Sequence, residues 1–338
     1  MRRQCVPLAA TGTELISERP AAEMLHRKLC VRLLLIYFTA VGIFMTSSWF
    51  FSSYPRSFPP QNASLCACDK CIMDFEPGLS GLFNKTPELF LSTKNNISEK
   101  IFNWWRRLQP EWRSFSAYQT TVKKVFQIFP PSPQLTEPSP DRCRTCAVVG
   151  NSGILNGSHY GPLIDFHDIV IRMNRGPTKG YERDVGTKTT HHVMYPHSSF
   201  NLDNITRLVL FPYKTSDLEW LIKSLTPREK PDNKPGLEAN KDLVMILNPA
   251  FMRYVHHVWL KKKGMYPSTG FLTLILSLHM CDEVDVFGFG ADRSGNWNHY
   301  FEPLAVEELK TGNHPGNDEY KIIQRLQRLK KIRFLRGW

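Results

Sequence analysis

The sequence predicts an α/β fold with a mostly parallel central sheet, and three observations carry that reading. From Ala147 onward, short β-branched runs alternate with helical stretches, the pattern of strands joined by crossover helices. The run VVGNSGIL, Val148 to Leu155, passes from apolar strand into a glycine-flanked polar turn, as at the carboxyl end of a first strand. The stretch GFLTLILSLHM, Gly270 to Met280, is apolar almost all round, which suits a helix buried against such a sheet.

Ahead of that domain the chain reads as three segments. Residues 1–28 form a tail and residues 29–51 a membrane anchor. Leu33 to Phe51 are nineteen residues without a charged side chain. A spanning helix needs about 20, at about 1.5 Å per residue through a core about 30 Å thick. Arg27, Lys28 and Arg32 crowd the amino side, which places the tail in the cytosol and the rest in the lumen or outside. A cleaved signal peptide competes, but it would have a shorter apolar region followed by a small-x-small cleavage site, and none follows here. Met24 stands as an alternative start. Residues 52–100 read as a stem: SSYPRSFPPQNAS is rich in Ser and Pro without helical or strand period, and a cysteine-rich segment follows.

The domain is expected over 101–338. IFNWWRRLQPEW and YQTTVKKVFQIF read as amphipathic helices broken at Pro110, and PPSPQLTEPSP is a second break. Strands are expected at 147–149, 168–173, 190–195, 207–213, 243–248, 284–289 and 332–335. Between them, SDLEWLIKSL starts from a Ser216 cap. PAFMRYVHHVWLKKKG has Pro249 in its first turn, lysines in its last and Gly264 as its stop. Ser268 or Thr269 caps the buried helix.

The net charge of +12 is concentrated at the ends. Residues 1–32 hold six Arg or Lys against three Glu, and 318–338 hold seven against two acids. The middle is only mildly basic, and no zinc-finger, RRM or KH pattern accompanies the charge, which argues against nucleic acid as a partner. Six cysteines lie beyond the anchor: Cys66, Cys68, Cys71, Cys143, Cys146 and Cys281. An even number in a lumen reads as structural bridging. A redox or zinc role for the CRTC pair lacks a second CxxC or HxxxH partner. Sequons at Asn62, Asn84, Asn96, Asn156 and Asn204 agree with the secretory side.

Several motifs could carry chemistry. Gly150, Gly153 and Gly157 satisfy neither a dinucleotide fingerprint nor a P-loop, so the opening turn alone is either a tight corner or a ligand rim. On the second reading, Asn151 and Ser152 stand outside a strand's carboxyl end, and Asn174 closes DIVIRMN at the same rim if the two strands are adjacent. The amino end of the helix after YPSTG invites an anion, although an ordinary N-cap explains it equally. His299 and His314 lie in Gly- and Asn-rich sequence, where an imidazole can take a hydroxyl proton or, when protonated, stabilise a departing phosphate. Glu319 is expected to orient His314. His191 and His192, at adjacent strand positions, face opposite sides and read as satisfied sheet histidines. No Asp-x-Asp triplet occurs, so a metal-independent reaction is the simpler expectation.

Four stretches, in order, resemble the motifs of the animal sialyltransferases. CAVVGNSGILNGSHYGPLIDFHDIVIRMNRGPTKGYERDVGTKTTHHVMYP resembles the large sialyl motif, and NPAFMRYVHHVWLKKKGMYPSTGFLTLILSLHMCDEVDVFGFG the small one. HYFE and HPGNDE resemble the third and very small motifs. YKTSDLEW, GFGAD and NWWRRLQ are most similar to the β-galactoside α2,3-sialyltransferases acting on Galβ1,3GalNAc. The resemblance implies a single Rossmann-like, variant GT-A domain of a type II Golgi membrane enzyme. Such an enzyme would be expected to transfer sialic acid from CMP-sialic acid to the 3-hydroxyl of terminal galactose on O-glycans or glycolipids, with inversion and without a metal or other cofactor.

It further implies His314 as base and His299 as support for the leaving phosphate, with Tyr195. Asn151, Ser152, Asn174, Ser268, Thr269 and Gly270 become donor contacts, and Gln109 and Tyr266 acceptor contacts. The disulfides it implies are Cys66–Cys71, Cys68–Cys143 and Cys146–Cys281. The chain departs from the family pattern in lacking a tyrosine-bearing stretch within 226–241, in a shorter loop between Tyr300 and His314, and in Asn298 and Phe301 where His and Trp are common. Two other functions stay open: the same donor with another galactoside acceptor, and a catalytically silent nucleotide-sugar-binding protein of the Golgi.

Overall fold

The computed structural model describes residues 81–133, 139–226, 237–303 and 312–337, with 66–68, 71–72 and isolated positions 36, 37, 39 and 135. Seven strands form one sheet: β1 (Thr145–Val149), β2 (Ile169–Met173), β3 (His191–Met194), β4 (Arg207–Leu210), β5 (Val244–Ile246), β6 (Glu283–Phe287) and β7 (Arg333–Leu335). Their order is β5-β4-β3-β2-β1-β6-β7, and every pairing is parallel. Each corresponds to a run expected from the sequence; β1 begins two residues and β6 one residue earlier than expected, and the other strands are trimmed at one or both ends. The fourth stops at Leu210, shortly before Pro212, which has no N–H for the ladder. The sixth stops at Phe287 because Gly288 turns the chain with φ +68°.

The helices are α1 (Glu99–Trp105), α2 (Phe115–Ile128), α3 (Gly161–Phe166), α4 (Glu182–Val185), α5 (Thr215–Leu225), α6 (Pro249–Tyr254), α7 (Thr269–Met280) and α8 (Gly316–Arg328). Ser216 is not the cap of α5, because the helix has already begun at Thr215. Carboxylates hold that start instead: Asp217 accepts from the N–H groups of Tyr213 and Lys214, and Glu111 accepts from that of Thr215. Gly264 is not the stop of α6 either. A wider π turn, Val255–Trp259, extends the helix, and the chain leaves through Lys261 and Lys262, both at positive φ. Gly264 lies beyond, where a Cβ would meet the Pro315 ring at 2.5 Å.

Alternation along the strands divides the core. Cys146 and Val148 of β1, Ile171 and Met173 of β2, and Val284 and Val286 of β6 face the main core, which includes α7 and residues of α1, α2 and α5. Ala147, Val149, Val170 and Phe287 face a smaller layer with Leu155, Ile164, Val185 and Tyr300. α7 is buried nearly all round, as its sequence requires.

Residues 81–100, assigned to the stem from sequence, belong to this folded body. Phe83, Phe90, Leu91 and Ile97 are buried in the main core. The Leu91 N–H donates to the Ile246 carbonyl at 2.8 Å and the Asn248 N–H to that of Leu89 at 2.9 Å. Disulfides join Cys66–Cys71, Cys68–Cys143 and Cys146–Cys281, as the family pattern implied. The expected anchor lies almost wholly outside the described residues, among which no helix is long and apolar enough to cross a membrane. Asn84, Asn96, Asn156 and Asn204 are exposed; Asn62 lies outside the described residues.

β1 and β6 are neighbours whose connections run to opposite sides of the sheet, so a crevice opens beyond their carboxyl ends. Gly150 and Gly288 line it, and a Cβ on Gly150 would sit 2.3 Å from the Gly288 carbonyl oxygen. Backbone cannot yield as a side chain would. Gly150→Ala is therefore expected to cost about 1–3 kcal/mol, read as a fall of roughly 2–10 °C in the thermal midpoint. An unchanged midpoint would contradict the close crossing.

Candidate active site

The carboxyl ends of β1, β2 and β6 and the amino ends of α7 and α8 surround a cavity of about 380 Å³. Asn151 and Ser152 enter it from the turn after β1, and Asn174 from the end of β2. Ser268, Thr269 and Gly270 line it from the start of α7, and His299 and His314 from the loops after β6. Eight residues named from the sequence thus meet at one place. Tyr195, Tyr266 and Gln109 do not line it.

The turn after β1 is held by strand-end crossings. The Asn151 side-chain amide donates to the Met173 carbonyl at 3.0 Å, tying β1 to its neighbour β2. The Tyr300 N–H donates to the Asn151 carbonyl at 2.9 Å and the Gly153 N–H to the Asn298 carbonyl at 2.8 Å, so the turn also carries the 298–300 loop and with it His299. The Ser152 hydroxyl donates to the Gly290 carbonyl at 2.7 Å. Its one proton is spent, and toward a ligand this hydroxyl can only accept.

Asn174 takes φ +53°, a left-handed conformation that asparagine tolerates. The His192 Nε2–H donates to its carbonyl at 2.6 Å, and its own N–H donates to Val193. Its side-chain oxygen, like that of Asn298, is buried without a hydrogen-bond partner. A buried acceptor left unpaired costs about 1–3 kcal/mol, so two such oxygens at one cavity point to a ligand that donates. His191 lies within hydrogen-bonding distance of the Thr190 hydroxyl, and burial pushes its imidazole down to about 3 and that of His192 to about 4. Both are neutral sheet histidines.

Ser268 caps α7 by accepting from the Phe271 N–H at 3.0 Å and gives its proton to Glu319 at 2.6 Å. Glu319 also accepts from the Ser268 N–H at 2.7 Å. This corrects the role expected for Glu319: its carboxylate is taken up by Ser268 and braces α7 against α8. Burial outweighs the two Ser268 bonds and pushes the carboxyl up to about 7. Thr269 and Gly270 occupy the first turn of α7, whose N–H groups have no intrahelical acceptor.

His314 lies just before α8, with Nδ1 3.3 Å from the Tyr266 carbonyl. That carbonyl can only accept, so Nδ1 carries the proton and Nε2 is the basic nitrogen. Burial lowers the imidazole below the ordinary histidine value, and the Tyr266 bond pulls it part of the way back. The Tyr266 ring lies edge-on to it at 4.8 Å, with Tyr213 at 5.3 Å from Tyr266 and Tyr195 at 6.4 Å from Tyr213. Tyr266 and Tyr195 therefore form a tyrosine row beside the cavity. Gln109 lies half-buried in the loop after α1.

His299 donates from Nδ1 to Glu302 at 2.7 Å, and its ring stacks on Phe301 at 5.2 Å. Phe289, Trp297 and Tyr320 complete the walls and were missed from sequence. For Phe289 the signal was its place between Gly288 and Gly290 just after β6, once β6 is known to lie beside β1; nothing local marked Trp297 or Tyr320. Among the described residues, the one cluster of potential metal ligands is Cys68, Cys143 and Glu283, two of which are joined as a disulfide.

A family model described as glycosyltransferase family 29 (sialyltransferase) matches residues 90–331. CMP-N-acetylneuraminate-beta-galactosamide-alpha-2,3-sialyltransferase 1 of Sus scrofa is 43% identical over 282 residues, covering 80% of this chain and 82% of that protein. Its Mus musculus counterpart is 44% identical over 283 residues, covering 80% and 83%. The crystal structure of a mammalian sialyltransferase in complex with Gal-beta-1-3GalNAc-ortho-nitrophenol is 41% identical with a TM-score of 0.69, covering 81% of this chain and all of that one.

Proposed function

The chain belongs to glycosyltransferase family 29, the sialyltransferases, and from that premise we propose that it moves sialic acid from CMP-sialic acid to the 3-hydroxyl of terminal galactose. The acceptor we assign is Galβ1,3GalNAc of O-glycans or glycolipids. The observation that carries this reading is the cavity that gathers Asn151, Asn174, the start of α7, His299 and His314.

The chemistry follows from the groups present. Nε2 of His314 takes the proton of the galactose 3-hydroxyl as that oxygen bonds to the anomeric carbon. The bond from that carbon to phosphate oxygen breaks, and its electron pair leaves with CMP. The unpaired N–H groups of Thr269 and Gly270, the helix end behind them and the His299 imidazole meet the developing phosphate charge. Fixed donors of this kind replace a divalent cation, so the reaction is metal-independent on this reading. Attack and departure on opposite faces invert the sugar. The Asn174 and Asn298 oxygens accept from hydroxyl or amino groups of the nucleotide. Ser152 and Ser268 act chiefly by shaping the rim, Tyr195 supports the phosphate side, and Tyr266 with Gln109 receives the acceptor.

The anchor expected at 29–51 behind a tail at 1–28, together with the sequons, supports reading the enzyme as a single-pass type II protein with its catalytic part in the lumen, and the family resemblance makes that compartment the Golgi on this reading. Protease protection of intact Golgi vesicles tests that orientation. For the reaction, purified chain is offered CMP-sialic acid with Galβ1,3GalNAc, Galβ1,4GlcNAc and a glycolipid, without added metal and with a chelator, and the product linkage is determined. The expected product is α2,3-sialylated Galβ1,3GalNAc at an undiminished rate in chelator. Preference for Galβ1,4GlcNAc would move the acceptor assignment, and CMP-sialic acid binding without transfer to any galactoside would make the chain a binding protein.

A further inference from the structure

Trp112 is 89% exposed, the most exposed large apolar side chain among the described residues. It makes no aromatic contact there, yet the backbone on both sides of it is pinned. The side chain of Trp105, at the end of α1, donates to the Pro212 carbonyl at 2.9 Å. The buried carboxylate of Glu111 accepts from the N–H of Arg113 at 2.9 Å and from that of Thr215. Arg113 makes a two-pronged bond to Glu219, with Nε to Oε1 at 2.6 Å.

These partners all lie in residues 212–219, which follow β4 at the carboxyl edge of the sheet. The same short stretch holds Tyr213, 5.3 Å from Tyr266, which is itself 4.8 Å from His314. The loop bearing Trp112 is thus built onto the segment that carries the tyrosine row to the base. A large indole held in water by anchored neighbours adds nothing to the core. Its flat face suits the apolar face of a pyranose, and a rigid side chain loses little freedom on binding.

We propose that Trp112 is a stacking platform for the sugar that carries the acceptor galactose, extending the acceptor site outward from the tyrosine row. The proposal rests on the galactoside-acceptor reading above. It names a subsite for the second sugar and leaves the reacting galactose to the residues already described.

The test uses the full chain with W112A and W112F and two acceptors, methyl β-galactoside and methyl Galβ1,3GalNAc. W112A is expected to raise the KM for the disaccharide roughly three- to tenfold, leaving kcat, the KM for CMP-sialic acid and the KM for the monosaccharide unchanged. W112F is expected to keep most of the parent's affinity, because a flat apolar ring remains. An unchanged disaccharide KM in W112A overturns the proposal, which would be the result if this indole faced a protein or a lipid surface. An equal rise for both acceptors also overturns it, since the residue would then act by positioning the loop. If the parent transfers to neither acceptor, the functional reading fails by itself, and saturation-transfer NMR of the disaccharide with CMP present still decides the subsite: loss of its signal in W112A supports it, and equal signal in both proteins overturns it.

Discussion

Replacing His314 with alanine is expected to lower kcat by about 10²- to 10⁴-fold while leaving the KM for CMP-sialic acid nearly unchanged. On the proposed role, the alanine variant keeps the other cavity walls and loses the imidazole assigned to receive the hydroxyl proton. Steady-state kinetics on Galβ1,3GalNAc measures this, and turnover equal to the parent's removes the base assignment. The pH profile tests the same residue without mutation. Because burial depresses the imidazole, a base that works when neutral stays competent down to a pH below about 6.5, the ordinary histidine value. kcat/KM for the acceptor should be flat near neutrality and fall as pH drops through that lower midpoint. An acidic limb centred above 6.5 counts against His314, since burial acts in the other direction.

Removing the Cys146–Cys281 disulfide as a double alanine variant is expected to destabilise the domain by about 4 kcal/mol. The two cysteines are 135 residues apart in sequence, so the bond restricts a long stretch of the unfolded chain, and both are buried in the core. They also join the start of β1 to the junction of α7 and β6, the elements that set the crevice. Calorimetry should show a midpoint lower by roughly 8–16 °C. A reductant should then have little further effect through this pair. A midpoint within a degree or two of the parent's would mean that packing alone holds β1 and α7 together.

Much of the sheet was legible because each strand is a short apolar run bounded by turn residues, and fully buried parallel strands have to look that way. Ser268 was legible as a cap for a similar local reason. Strand order was not, since nothing within a run states its neighbours. That is why Asn174 could be joined to Asn151 only conditionally, and why Phe289 escaped. Glu319 was misread because its distance in sequence from His314 suggested a partnership, whereas the first turn of α8 directs it to Ser268, 51 residues away in the chain. The stem was drawn too long for a related reason. Leu89 and Leu91 are held by backbone bonds to β5 and the residues after it, and such pairing leaves no periodic trace in so short a segment.

The covalent links among Cys66, Cys68, Cys71 and Cys143 have a mechanical consequence. Cys143 lies two residues before the start of β1, so the segment around residues 66–71 is welded to the amino edge of the sheet, and the cavity of the candidate site opens at the opposite edge. A tug from the direction of the amino terminus passes through sulphur–sulphur bonds into the central strand. That link bypasses the stretch of chain that carries α1 and α2, so the first helices are spared the load.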